Sequence, residues 1–191
     1  MDVVPLRFAD RVFEGRFGRP FTWVERCPST QRLLDGAPEG AVAATDEQTE
    51  GRGRLGHSWE APPGSSLLFS VVLAPPVPAE RLPELSVVAG EAVAEAIAAE
   101  TGLSPALKHP NDVLVGGRKV AGILAESSDG RVTLGVGINI SQRSEELPER
   151  TQFPATSLAI EGGQVDRAAL LATVLATLER RYDAWVSASA T

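Results

Sequence analysis

Apolar residues are packed most densely at residues 65–73 (SSLLFSVVL), a run with little polar alternation that predicts a strand covered on both faces. Ahead of it, residues 21–26 (FTWVER) alternate as a half-buried strand does, and residues 41–46 (AVAATD) form a strand of small residues. Between these two, Pro28-Ser29-Thr30 reads as a helix start, with Ser29 or Thr30 as N-cap and Leu33 and Leu34 on the buried side. Gly36 and Pro38 close that short helix. Helical spacing returns at residues 82–101, where Leu85, Val88, Ala92, Val93, Ala96 and Ile97 share a face and Gly102 supplies the terminating glycine. Residues 106–108 then pass through a Pro110-Asn111-Asp112 corner into a hairpin that pairs 113–115 with 119–127 across Gly116-Gly117. Asp129-Gly130 turns the chain into a strand at 131–140, and residues 141–164 are a loop carrying Pro148, Pro154 and Gly162-Gly163. A last helix begins after Asp166 as N-cap, striped by Leu170, Leu171, Val174, Leu175, Leu178, Tyr182 and Trp185.

This order predicts an α+β fold, with a mixed, largely antiparallel sheet backed by helices, and not an alternating Rossmann array. A single domain is expected over residues 1–191, with 1–20 as a loosely structured arm or short strand. Two well-patterned helices are missing from that arm, so no helix-turn-helix is expected there.

Composition narrows the function classes. The net charge of −7 argues against nucleic-acid or anionic-membrane partners reached by bulk electrostatics. Cys27 is the lone cysteine, which excludes an intrachain disulfide and fits a small buried filler in a reducing, cytoplasmic setting. No apolar run reaches the length of about 18 residues that a membrane span needs, and no signal-peptide pattern opens the chain. The basic residues are 16 arginines and only two lysines, Lys108 and Lys119, and both lysines fall inside candidate motifs.

The first motif is the loop 48–59 (QTEGRGRLGHSW), in which three glycines bracket Arg52 and Arg54. Gly51-x-Gly53-x-x-Gly56 matches the dinucleotide fingerprint in its letters, but Pro62-Pro63-Gly64 follows where a helix should open, so that reading fails. The loop reads instead as an arginine-bearing flap over an anionic ligand. The second motif is Lys108-His109-Pro110-Asn111-Asp112 with Lys119 on the following hairpin strand. Lys119 would carry its ammonium across the sheet face; Asn111 suits an adenine edge, and Asp112 suits either Mg²⁺ or the orientation of Lys119. The third is Gly135-Val136-Gly137-Ile138-Asn139-Ile140, whose glycines strip one strand face so that a flat ligand can lie on the backbone.

Taken together and in this order, GRGRLGHSWEAPPGSSLLFS, KHPNDVLVGGRKVAGILAE and GVGINI resemble the catalytic domain of biotin–protein ligases, over about residues 23–186. The resemblance implies a class II aminoacyl-tRNA synthetase-like fold. It implies that biotin and ATP, with Mg²⁺, give biotinyl-5′-adenylate and pyrophosphate, and that biotin then passes to a lysine of a biotin carboxyl carrier protein domain. Lys119, Arg52 and Arg54 would be the catalytic cations. Ser29, Thr30, Gln48, Gly51 and Arg52 would meet the ureido ring, Lys119 the biotin carboxylate, and Gly122 and Leu124 would pack beside the ring. Arg52, Arg54, His57, Trp59, Lys108, Asn111 and Asn139 would hold the nucleotide, Trp59 as a wall for the adenine and Asp112 as a candidate Mg²⁺ ligand.

This chain departs from the family pattern at three side chains: His57 stands where an arginine is usual, His109 where tryptophan is usual, and Gln31 where asparagine is usual. The chain also stops where family members usually continue into a small C-terminal β-barrel, and an N-terminal DNA-binding region is not expected. Neither nucleic acid nor a membrane is an expected partner, and the oligomeric state is left open, a homodimer included. Two other readings stand beside the ligase: a non-catalytic biotin-binding or sensing module, and a lipoate–protein ligase of the same fold.

Overall fold

The computed structural model describes residues 13–149 and 152–189. They form one seven-stranded sheet, β1 (Phe21–Cys27), β2 (Val42–Gln48), β3 (Ser66–Leu73), β4 (Pro105–Lys108), β5 (Asp112–Val115), β6 (Arg118–Ser128) and β7 (Arg131–Asn139), in the spatial order β1-β2-β3-β7-β6-β5-β4. Only β1 and β2 run parallel; every other pair is antiparallel, so the sheet is mixed and largely antiparallel. Two helices, α1 (Leu85–Thr101) and α2 (Arg167–Ser189), pack together and onto one sheet face.

Local chemistry explains most of the elements. All eight residues of β3 are buried, as its apolar run requires at the centre of a sheet. Gly116 and Gly117 both have positive φ (57° and 79°), which suits the two-residue turn between β5 and β6. Asp129 and Gly130 do the same between β6 and β7, at φ 52° and 75°. Gly102 ends α1 in the left-handed region, and Asp166 Oδ1 accepts the Ala169 N–H at 2.8 Å to start α2.

Three expectations need correction. The helix expected after Pro28 is a single 3₁₀ turn, Arg32–Leu34, preceded by Gln31 with no side-chain cap; Leu34 is buried and Leu33 is exposed. Ser29 and Thr30 belong to the site described below. The helix expected from residue 82 begins as a 3₁₀ segment, Ala79–Glu84, which contains Pro83, a residue with no N–H to give, and becomes α-helical at Leu85. Of the arm, residues 1–12 lie outside the described residues, and 13–20 are turns without a strand. Those turns are fastened to α2. Phe13 and Phe17 are buried in the core and Arg16 pairs with Glu179 and Asp183.

The sheet has two unlike faces. Val42, Ala44, Leu67, Phe69, Val71, Leu134, Val136, Ile138, Ala121 and Ile123 meet the helices in one core. Among the described residues no helix is long and apolar enough to cross a membrane.

Candidate functional site

The face turned away from the helices is built from small residues. One cross-strand row runs Thr45, Leu68, Gly137, Gly122, Asp112, Lys108, and the next runs Ala43, Ser70, Gly135, Leu124. Glycine and serine there leave a shallow trough, and the loops after β1 and β2 close over it. The resulting cleft is lined by Ser29, Thr30, Gln31, Gln48, Arg52, Arg54, Trp59, Ser70, Asn111, Lys119, Gly122, Leu124, Gly135 and Gly137, among others, and encloses about 50 Å³.

A register shift puts Lys119 there. β5 pairs Val113 with Ala121 but Leu114 with Lys119, so Val120 is an extra residue on β6. Val120 and Ala121 are consecutive and both buried in the helix-side core. Without the bulge, period-two alternation from Ile123 and Ala121 would turn Lys119 toward the helices. With it, Lys119 joins Gly122 on the cleft side, its Nζ 2.7 Å from Asp112 Oδ1 and 5.8 Å from the Trp59 ring centroid. The Asp112 contact is an ion pair without hydrogen-bond alignment, so that oxygen stays unsatisfied. Of the two roles expected for Asp112, the contact made is the one that orients Lys119. Segment 154–156 clamps the lysine backbone: Lys119 N donates to Pro154 O and Thr156 N to Lys119 O, both at 2.8 Å.

The flap is a short closed loop. Arg52 and Ser58 form an antiparallel bridge, Trp59 N donates to Gly51 O (2.9 Å) and Gly53 N to His57 O (2.7 Å). Gly51 is required by this approach, since a Cβ there would lie 2.3 Å from Trp59 O. One 3₁₀ turn, Arg54–Gly56, stands where a dinucleotide fold would open its helix. The two arginines are parked on protein groups: Arg52 Nη2 on Glu126 Oε2 (2.7 Å) and Arg54 Nη1 on Asn111 Oδ1 (2.8 Å).

Across the cleft, Gln48 Oε1 accepts from Thr30 N (2.8 Å) and Thr30 Oγ1 (3.2 Å), which leaves the Gln48 amide N–H free to point at a ligand. Thr30 and Ser70 share a buried hydroxyl–hydroxyl bond of 2.7 Å. Gln31 Nε2 donates to Thr133 O (3.2 Å) and Leu124 O (3.4 Å), and its side chain covers Gly135. Ser29, 2% exposed, makes no side-chain hydrogen bond among the described residues. The flat group resting on the glycine strip is the chain's own Trp59: a Cβ on Gly137 would lie 2.5 Å from its ring, and one on Gly122 3.0 Å. Its Nε1 is buried without a partner.

Lys119, Arg52, Arg54, Ser29, Thr30, Gln48, Gly122, Leu124, Trp59 and Asn111 are thus brought together. Four of the residues expected to hold the nucleotide are engaged by protein groups or stand outside the cleft. Asn139 is 6% exposed and lies off the cleft, with Nδ2 given to Thr156 O (2.9 Å) and Oδ1 accepting from Gln142 Nε2 (3.0 Å). The Asn111 amide is spent on Arg54 and on Ile123 O (3.1 Å), which makes it an anchor for the flap. His57 is exposed on the flap and Lys108 is exposed on the edge strand β4, neither lining the cleft. Ser70, Gln31 and Glu126 were missed as working parts. Ser70 interrupts an otherwise apolar run, and Glu126 follows Gly122 and Leu124 in the same alternation; those were the available signals. No cluster of three or more metal-binding side chains occurs among the described residues.

Residues 23–142 match the biotin/lipoate A/B protein ligase family. The chain belongs to that family. Its relatives include the bifunctional ligase/repressor BirA of Bacillus spizizenii, 36% identical over 176 residues, covering 86% of this chain and 54% of that protein. The biotin–[acetyl-CoA-carboxylase] ligase of Mycobacterium tuberculosis is 38% identical over 164 residues, covering 83% and 60% respectively. The match spans little more than half the length of these two relatives. The biotin protein ligase of Aquifex aeolicus in complex with biotin and ATP superposes with a TM-score of 0.79 at 35% identity, covering 88% of this chain and 72% of that one. The fold is that of biotin protein ligases, the class II aminoacyl-tRNA synthetase-like arrangement.

Proposed function

We propose that this chain adenylates biotin with MgATP and passes the biotinyl group to a lysine of a biotin carboxyl carrier protein domain. The observation that carries the reading is one ammonium, Lys119, turned by a bulge onto a stripped sheet face beside two arginines held by displaceable partners. The chemistry asks for that. A carboxylate and a polyphosphate repel each other, so fixed cations must bring them together before bond formation. Lys119 meets the biotin carboxylate and the α-phosphate. Arg52 and Arg54 exchange Glu126 and Asn111 for the phosphate, a charge-assisted pairing stronger than the one with the Asn111 amide.

The unspent Ser29 hydroxyl and Gln48 amide N–H, with Thr30 and the Gly51 backbone, match the donors and acceptors of a ureido ring, and Gly122 and Leu124 give its apolar part a surface. Trp59 lies on Gly137 where a flat ligand would rest, so the ligand displaces it and the indole then walls the adenine. Mg²⁺ arrives with the ATP; Asp112 offers it one carboxylate, which is what such ions draw from protein when phosphates supply the rest. The buried single cysteine fits a cytoplasmic setting.

Incubation with biotin, MgATP and a carrier domain, followed by mass spectrometry, tests the proposal. A biotinylated carrier lysine and free AMP are expected. Biotin binding with neither product would leave a non-catalytic module, and faster acylation with lipoic acid would leave the lipoate reading.

A further inference from the structure

Lys119 sits at a strand end that the seven-stranded sheet pairs on one side only. β5 flanks it there, with Leu114 as its partner, but β7 reaches β6 only as far as Ala121, opposite Ile138. Residues 154–156 fill the other edge by a parallel bridge, Ala155 opposite Lys119, and supply Pro154 O and Thr156 N to its N–H and C=O. That clamp is only as firm as its own anchorage. Thr156 is fully buried; its carbonyl accepts Asn139 Nδ2 at 2.9 Å, and its hydroxyl donates to Glu161 Oε1 at 2.5 Å. The other oxygen of the same carboxylate accepts Arg118 Nη2 at 2.8 Å, and the Glu161 side chain is 8% exposed. One carboxylate thus holds both the residue before Lys119 and the residue bonded to its carbonyl, without lining the cleft itself.

We propose that Glu161 is a positioning residue for Lys119: its two oxygens, on Arg118 and Thr156, fix the strand end that carries the ammonium. Its effect on catalysis rests on the adenylation reading given above. Burial of Val120 already selects the bulged register, since a regular one would turn that side chain out of the core and the lysine into it. Register decides which face Lys119 takes; it does not decide how far over the cleft the strand end stands. The closed set Arg118–Glu161–Thr156 decides that, and so places the ammonium over Gly122, where an added Cβ would lie 3.3 Å from both Cε and Nζ of Lys119. Placement of this kind matters at a reacting centre, where a shift of about 1 Å costs on the order of 10²-fold in rate. Arg118 is half-exposed, so its ion pair alone is weak, and the bond from the buried Thr156 hydroxyl to the carboxylate is the stronger hold.

Two measurements on the full chain test this, one of position and one of rate. Lys108 and Lys119 are the only lysines, so carbon-13 labelling of lysine gives two ε-methylene signals in a nuclear magnetic resonance spectrum. That of Lys119, whose Nζ lies 5.8 Å from the Trp59 ring centroid, is displaced by the ring current, and Lys119→Arg identifies it. Glu161→Ala is expected to move this signal toward that of the exposed Lys108. It is also expected to lower kcat of biotin-dependent pyrophosphate exchange about 10- to 100-fold, with KM for biotin and ATP within about twofold, because Ser29, Thr30 and Gln48 lie on other elements. Glu161→Gln keeps an acceptor for Thr156 and recovers most of the rate. Thr156→Val removes the hydroxyl at nearly constant volume; it shows the same two changes and decides the matter if Glu161→Ala does not fold. An unmoved Lys119 signal, a moved signal with undiminished kcat, a loss that falls on KM, or Glu161→Gln as slow as Glu161→Ala overturns the inference and leaves the adenylation reading standing. A moved signal in a chain whose native form shows no exchange keeps the positioning and overturns the adenylation reading.

Discussion

The two faces of the sheet are made by the same strands and obey opposite rules. On the helix side, β3 and β7 present Leu67, Phe69, Val71, Leu134, Val136 and Ile138, close-packed against α1 and α2. On the cleft side the intervening positions are Leu68, Ser70, Gly135 and Gly137. One face is filled by its own side chains; the other is kept empty enough that a loop residue, Trp59, lies on the backbone. The difference separates the work of the residues. Side chains of the first face hold the fold, and those of the second, with the loops above it, make a site at small cost in core volume. Val120 is the hinge between the rules, because its bulge moves a lysine from the filled face to the empty one.

The largest expected effect attacks a nearly buried ion pair on the filled face. Arg167, at the start of α2, donates to Asp46 Oδ1 at 2.7 Å and to Ser66 O at 3.2 Å, and both side chains of the ion pair are nearly buried. Arg167→Ala leaves a buried carboxylate without this partner and should cost about 3–5 kcal/mol in urea unfolding. Leu134→Ala, a cavity on the same side, should cost about 2–5 kcal/mol, with biotin-dependent exchange per folded molecule unchanged. Gly137→Val reverses the pattern. Its Cβ would sit 2.5 Å from the Trp59 ring, so the indole must shift; the expected penalty of about 1–3 kcal/mol falls on ligand binding by calorimetry, and the unfolding midpoint moves little.

The smallest effect lies far from both faces. Bonds from Arg81, and then from the Trp185 indole, push the exposed Glu84 carboxyl down to about 2. A depressed carboxylate stabilises fully above its unfolded pKa of about 4.3 and loses that contribution as the pH falls toward the folded value. Glu84→Gln should therefore flatten the acid-side slope of stability slightly between those limits and leave the neutral-pH midpoint nearly unchanged, as expected of a surface pair.

How much of this was legible in the chain depended on range. Strand β3, helix α2 and the Gly116-Gly117 and Asp129-Gly130 turns are set by neighbours in sequence, and they appear where periodicity and turn chemistry put them. The parallel pairing of β1 with β2 joins segments that no hairpin signal connects. The bulge at Val120 leaves no mark in composition, since Lys-Val-Ala-Gly-Ile reads equally well as regular alternation. Ser29 and Thr30 looked like helix caps because such residues commonly are; here Thr30 is spent on Gln48 and Ser70, partners 18 and 40 residues away. The cleft's membership was readable from glycines and arginines, but which polar atoms remain free in it depends on long-range hydrogen bonds. Asn111 and Asn139 are expected at the adenine for their chemistry, and in the fold each gives its amide N–H to a backbone carbonyl, of Ile123 and of Thr156.

The central claim is that Lys119, on the emptied face, joins a carboxylate to a nucleotide. The direct measurement is biotin-dependent exchange of labelled pyrophosphate into ATP, in the native chain and in Lys119→Ala, with thermal unfolding of both. Exchange in the native chain, reduced about 10²–10³-fold in the variant with unfolding unchanged, is the predicted result. No exchange in the native chain, or undiminished exchange without Lys119, would contradict it.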